Sequence, residues 1–168
     1  MILISACLIG VNCKYNGDNN LRAELMPLLK EGKLIPVCPE QLGGLPTPRT
    51  PVELKVTEAG CKLTAGEAIL DNKGNANTKE NKVLTDAFIK GAYETLKLAK
   101  ACKSKVAILK ENSPSCGVHS IYNGNFDNNK IPGQGVTAAL LKRNGLTIFS
   151  DEDTSLIEKY LIQLDRDK

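Results

Sequence analysis

Apolar positions gather in four short runs, at residues 2–6, 33–37, 105–109 and 146–149, each bounded by Gly, Pro or polar residues. Runs this short that are apolar at consecutive positions suit strands buried on both faces, as in a mostly parallel sheet. A period of three to four residues takes over between them. Residues 83–102 place Leu84, Phe88, Ala92, Leu96 and Ala99 on one helical face, and Lys97, Lys100 and Lys103 near the end complement the helix dipole. A second helix is expected over 135–144, stopped by Gly145, and a third over 154–165 with Leu156, Ile157, Tyr160, Leu161 and Leu164 on one face. Residues 21–30 form a weaker pattern that Pro27 is expected to kink or shorten.

Four prolines and two glycines between residues 39 and 51 predict an ordered loop rather than a regular element. Residues 52–80 alternate weakly and contain Asp71-Asn72-Lys73-Gly74, which predicts a small hairpin or small strands beside the main sheet. Tyr122-Asn123-Gly124-Asn125-Phe126 gives another turn signal. The sum is a three-layer α/β fold. Its Rossmann-like, mostly parallel sheet carries helices on both faces, with a Pro/Gly-rich loop and a small hairpin inserted. A chain of 168 residues without an internal repeat or long linker reads as one domain over 1–168.

Composition narrows the function classes. A net charge of +3 implies no strong polyanion-binding face, and three Phe, four Tyr and no Trp make no base-stacking platform, so intact nucleic acid is not an expected partner. No run reaches the ~18 apolar residues of a membrane span. The opening Met1-Ile2-Leu3-Ile4-Ser5-Ala6-Cys7 has neither the basic start nor the apolar length of a signal peptide, which predicts a cytoplasmic protein. The unusual number is six cysteines against one histidine. In a reducing compartment such a count points to metal, cluster or catalytic chemistry before disulfides.

Three of the six follow expected strands. Cys7 comes after the first and Cys38 directly after the second, while Cys116 comes after a short loop from the third. If those strands are parallel, their following loops emerge at the carboxyl edge of the sheet, where open α/β folds bind ligands. Three convergent thiols suit a thiophilic centre, and three on a [4Fe-4S] cube leave one iron open. Small cysteines buried at strand ends are the plainer alternative.

The same segments carry a resemblance. Ile4-Ser5-Ala6-Cys7-Leu8-Ile9-Gly10 precedes Lys14-Tyr15-Asn16-Gly17. Pro36-Val37-Cys38-Pro39-Glu40 precedes Gly43-Gly44-Leu45-Pro46-Thr47-Pro48-Arg49. Ser113-Pro114-Ser115-Cys116-Gly117 precedes Tyr122-Asn123-Gly124 and Gly133-Gln134-Gly135-Val136-Thr137. In that order they resemble the motif blocks of the DUF523 family over nearly the whole chain, a family that includes an iron–sulfur thiouracil desulfidase. The resemblance implies a [4Fe-4S] cluster held by Cys7, Cys38 and Cys116, with Glu40 and Ser113 as catalytic side chains. The implied reaction is non-redox removal of sulfur from a small thiolated pyrimidine or nucleoside such as thiouracil. It gives uracil and sulfide through a cluster-bound sulfide, a [4Fe-5S] intermediate. Lys14-Tyr15-Asn16-Gly17 departs from the Arg-Tyr-Asp-Gly of many relatives, and Val83-Leu84-Thr85 from their Asp-Val-Thr.

Two rival readings use the same residues: a metal-free enzyme with Cys7 or Cys116 as nucleophile or redox thiol, and a cluster- or zinc-binding protein without a reaction. Cys13 is a ligand, a sulfur carrier or a bystander. Cys61 and Cys102 read as structural, with Cys102 on the apolar helix face. Glu40 has Arg49 as an alternative partner, Ser113 and Ser115 sit in a turn signal, and the lone His119 reads as solvated. The Gly133–Ala138 stretch fits a G-x-G-x-x-A pattern without its strand, so a dinucleotide is not expected there, though its helix-start amides suit an anion or a carbonyl oxygen.

Overall fold

The computed structural model describes the backbone of residues 1–166 and the side chains through Gln163. Leu164, placed by its spacing on the apolar face of the last helix, lies outside the described side chains.

The elements, in order, are β1 (Ile2–Ser5), α1 (Met26–Lys30), β2 (Leu34–Val37), α2 (Pro39–Leu42), β3 (Val52–Val56), α3 (Ala65–Leu70), β4 (Gly74–Thr78), α4 (Thr85–Ala101), β5 (Val106–Leu109), β6 (Ser120–Tyr122), β7 (Lys130–Pro132), α5 (Val136–Arg143), β8 (Thr147–Ser150) and α6 (Thr154–Arg166). The four apolar runs became β1, β2, β5 and β8. They form one parallel sheet in the order β2-β1-β5-β8, with Ile2 opposite both Leu34 and Val106. Successive side chains of a strand point to opposite faces, so each central strand feeds two cores. Leu3, Ala107 and Leu109 pack with Phe88, Ala92 and Leu96 of α4 and with Val136 and Leu140 of α5. Ile2, Ile4, Val106 and Ile108 pack on the other side with Leu28 and Leu29 of α1 and Ile157 and Leu161 of α6. The three layers and the parallel sheet are as the sequence implies. β2 tolerates Pro36 because it is an edge strand, where the missing N–H breaks no ladder bond. Among the described residues no helix is long and apolar enough to cross a membrane.

Of the weak 21–30 pattern only Met26–Lys30 is α-helical, shortened as expected, with Pro27 in its first turn, where its absent N–H would have been unpaired anyway. Three local expectations are corrected. The Pro-rich segment is not wholly irregular, since Pro39 opens the one-turn α2 behind Cys38. β3 and β4 do pair antiparallel, Val52 opposite Thr78, but residues 57–73 lie between them. Asp71-Asn72 is therefore not a hairpin turn; it ends α3, with Asn72 at φ 56°. α3 itself is unforeseen, although Thr64-x-x-Glu67 signals it: the Thr64 N–H and hydroxyl both donate to Glu67 Oε2, at 2.9 and 2.8 Å. The Asn123-Gly124 signal does mark a hairpin, between β6 and β7.

α2 and α4 meet main chain to main chain. A Cβ on Gly91 of α4 would lie 1.9 Å from the Pro39 carbonyl oxygen, and one on Gly43 would lie 2.1 Å from the Ala87 oxygen. Glycine inside the longest helix therefore serves packing. Gly91→Ala should cost about 1–3 kcal/mol by overpacking this contact, read as a lowered denaturation midpoint in urea. A midpoint equal to that of the parent chain would show that α2 does not depend on the contact.

Candidate functional site

Parallel pairing puts the segments after β1, β2 and β5 on one edge of the sheet. Cys7 sits in the 3₁₀ turn Ala6–Ile9, its carbonyl accepting the Asn20 N–H at 2.9 Å. Cys38 is the N-cap of α2. Cys116 is presented by a turn that Ser113 closes: Ser113 Oγ accepts the N–H of Ser115 at 3.2 Å and of Cys116 at 3.1 Å, while its carbonyl accepts that of Gly117 at 2.8 Å. Gly117 is required here, because a Cβ would stand 2.8 Å from the carbonyl oxygens of both Ser113 and Ser120.

Cys7, Cys38, Cys116 and also Cys13 line one cavity of about 520 Å³, together with Glu40, Arg49 and Ser113. Cys7, Cys13 and Cys116 are buried, Cys38 is half-buried, and all six thiols are free. Cys61 is exposed, and Cys102 caps the end of α4 half-buried rather than in the core. Neither lines the cavity.

The thiols form a connected group. The Cys13 thiol hydrogen-bonds to both Cys7 and Cys38, which favours their thiolates and pushes Cys13 itself far up. That bond, against the opposing effect of burial, brings Cys38 down to about 7. Cys7 is lowered by the same donor, with help from the Asn20 side chain and the Lys110 charge. Burial pushes Cys116 up, and a hydrogen bond from Ser5 offsets part of the effect. Ser5 Oγ in turn accepts the Lys110 N–H at 3.0 Å.

Glu40 pairs with Arg49, whose Nη1 also donates to the Cys13 carbonyl at 3.0 Å and to Thr47 Oγ1 at 3.2 Å. The pair is largely buried, with 13% of the Glu40 side chain and 8% of Arg49 exposed. The arginine thus joins the segments carrying Cys13 and Glu40, and its own N–H reaches the Tyr15 carbonyl at 2.7 Å. Of the motif departures, Lys14 lies on the cavity wall, whereas Asn16 accepts the Asp18 N–H in an exposed turn. His119 stays out of the cavity and bonds Asp153 through Nε2 at 2.8 Å. The first amides of α5 are used within the chain: those of Val136, Thr137 and Ala138 donate to the carbonyls of Pro114 and Ser115, docking the helix on the Cys116 turn.

Sequence reasoning passed over Ser5, Asn20, Glu53, Lys110 and Asp151. Asp151 had a usable signal, since it directly follows the fourth parallel strand. Its carboxylate, only 1% exposed, accepts from the Glu111 N–H at 2.7 Å, Arg22 Nη2 at 2.8 Å and Lys110 Nζ at 3.0 Å. Burial opposes its charge, but these donors outweigh burial and hold its carboxyl below the usual range.

The donor set suits an iron–sulfur cluster. Four thiols, those of Cys7, Cys13, Cys38 and Cys116, line the cavity and no histidine does.

A sequence model of the 2-thiouracil desulfurase family matches residues 2–153. The chain belongs to that family. The Bacillus subtilis (strain 168) protein YbbK is 42% identical over 153 residues, which span 91% of this chain and 97% of YbbK. Among solved structures, the [4Fe-4S]-dependent thiouracil desulfidase TudS (DUF523Vcz) matches with a TM-score of 0.81 at 35% identity, over 96% of this chain and 97% of that one. The 2-thiouracil desulfurase match takes in all four strands of the sheet and every cysteine at its edge.

Asp151→Asn should cost about 2–3 kcal/mol at pH 7, less than breaking a fully buried pair because both cations reach solvent. The folded-state pKa is lowered, so this stabilisation is present above the ordinary Asp value of about 3.9 and fades as pH falls below it. Urea denaturation of both chains should therefore show a gap at pH 7 that narrows at pH 3.5. A gap independent of pH would remove Asp151 as its source.

Proposed function

We propose that the protein is a [4Fe-4S]-dependent, non-redox desulfurase, acting in the cytoplasm, that converts thiolated pyrimidines such as thiouracil to uracil and sulfide. Cys7, Cys38 and Cys116 would hold the cluster. The observation that carries the reading is the convergence of these three thiols, from three parallel strand ends, on the cavity that Glu40 and Ser113 also line. When bound, the cluster supplies a Lewis-acidic iron, free of protein thiolate, to polarise the thiocarbonyl and accept its sulfur.

The chain supplies the rest. Glu40, two residues beyond Cys38, takes a proton from water as the water oxygen attacks the thiocarbonyl carbon. Arg49 fixes the orientation of that carboxylate from a buried position. Ser113 engages its oxygen as acceptor for two turn amides, so its hydroxyl hydrogen is left to position the water or the substrate. Oxygen replaces sulfur on carbon, hydrogen sulfide leaves, and no net electron transfer occurs. The cavity of about 520 Å³ accommodates a pyrimidine.

Anaerobic reconstitution should give stoichiometric iron and acid-labile sulfide with cluster absorbance and turnover of 2- or 4-thiouracil. Cys7→Ser, Cys38→Ser and Cys116→Ser should each lose the cluster spectrum. Glu40→Gln should keep it while turnover falls about 10²-fold or more, as for a lost general base. A full cluster without turnover would overturn the substrate assignment. Protein that binds no iron yet still reacts at a cysteine would replace the cluster by thiolate chemistry.

A further inference from the structure

Three carboxylates line the cavity: Glu40, Glu53 and Glu111. Two of them are held by a cation or by several converging donors. Glu40 is paired with Arg49. Glu111 accepts the N–H groups of Asn112, His119 and Ser120, at 3.3, 3.1 and 2.8 Å, as well as the Ser120 hydroxyl. Glu53 differs from both. It sits on β3 at 8% exposure, and one of its oxygens, Oε2, takes both of its hydrogen bonds, from the N–H of Gly124 at 2.9 Å and of Phe126 at 3.1 Å. Among the described residues it has no cationic partner, and Oε1 accepts no hydrogen bond.

Oε1 is not sealed off: Glu53 lines the cavity, and this oxygen stays accessible to a bound donor. The directly opposed residue on β4, Asn77, holds a buried Oδ1 without a partner. The loop that Glu53 grips is itself unusual. Phe126, which lines the cavity, is held at φ 56°, a region bulky residues rarely adopt. Such departures persist where the surroundings impose them, commonly at ligand sites.

We infer that Glu53 is a specificity residue of the desulfurase site: Oε2 fastens the loop bearing Phe126, and Oε1 accepts the N3–H of the bound thiopyrimidine. The inference rests on the desulfurase reading above. N3–H flanks the thiocarbonyl in both 2- and 4-thiouracil and survives when N1 carries a sugar, so one acceptor serves base and nucleoside alike.

The decisive comparison uses cluster-loaded protein with 4-thiouracil and its N3-methyl derivative. In Glu53→Gln the amide oxygen still receives the two loop N–H groups, while its NH₂ faces the substrate donor. KM for 4-thiouracil should rise about tenfold or more, the size of a lost charge-assisted hydrogen bond, with a smaller change in kcat and an unaltered cluster spectrum. The parent protein should penalise N3-methylation by a similar factor in KM, and Glu53→Gln should not. Equal KM for the two substrates in the parent protein would overturn the inference even if the variant did not fold. So would an unchanged KM in Glu53→Gln. If the loaded parent protein turns over no thiopyrimidine, the desulfurase reading falls by itself, and calorimetric binding of uracil then tests Glu53. Tenfold weaker binding to Glu53→Gln supports the inference, and equal binding or none overturns it.

Discussion

Parallel pairing of β2, β1 and β5 is the constraint on which the rest of the structure depends. A parallel strand needs a crossover to return, and each crossover leaves from the same edge. The segments after the three strands therefore meet, whatever their separation along the chain. The pairing holds because the central strands are apolar on both faces and each face has its own helices: α4 and α5 on one side, α1 and α6 on the other. Loss of either layer would expose half of every central strand and with it the geometry of the thiol edge.

What the strands bring near, short-range polar contacts hold in place. The Ser113 hydroxyl and the start of α5 fasten the Cys116 turn from two directions. Arg49 ties Glu40 to the Cys13 carbonyl. Below them Asp151 draws Lys110, Arg22 and the Glu111 amide together behind the first and third strand ends. These contacts also shape the chemistry. Asn20 and Lys110 favour the Cys7 thiolate, and Ser5 favours that of Cys116 against its burial. A site of this kind is preorganised: its thiols and carboxylates are positioned by neighbours whose own rotamers are fixed.

The fold was legible where burial dominates. Strands apolar at consecutive positions and the 3.6-residue period of α4 survive into the structure because the apolar side chains that make the pattern also make the core. Legibility fell where a local signal has two meanings. Asp71-Asn72-Lys73-Gly74 is as good a helix end as a hairpin turn, and only the helix before it decides between them. Pro27 and Pro39 read as breakers, yet each stands in a first turn where a missing N–H costs nothing. Gly91 reads as a weakness in α4 until the Pro39 carbonyl is seen against it.

By itself the sequence determined the layer order, the apolar strands and the positions of three cysteines relative to strand ends, since periodicity and spacing are properties of the chain. The tertiary structure alone decided which polar groups meet. It gave Glu40 to Arg49 and His119 to Asp153, added Cys13 to the cavity, withdrew the α5 amides from ligand binding and left one oxygen of Glu53 unmatched. Hydrogen bonds and ion pairs are short and directional, so they depend on ångström-scale approach between distant segments. Hydrophobic burial asks only which face a residue is on, and that much is written in the order of the residues.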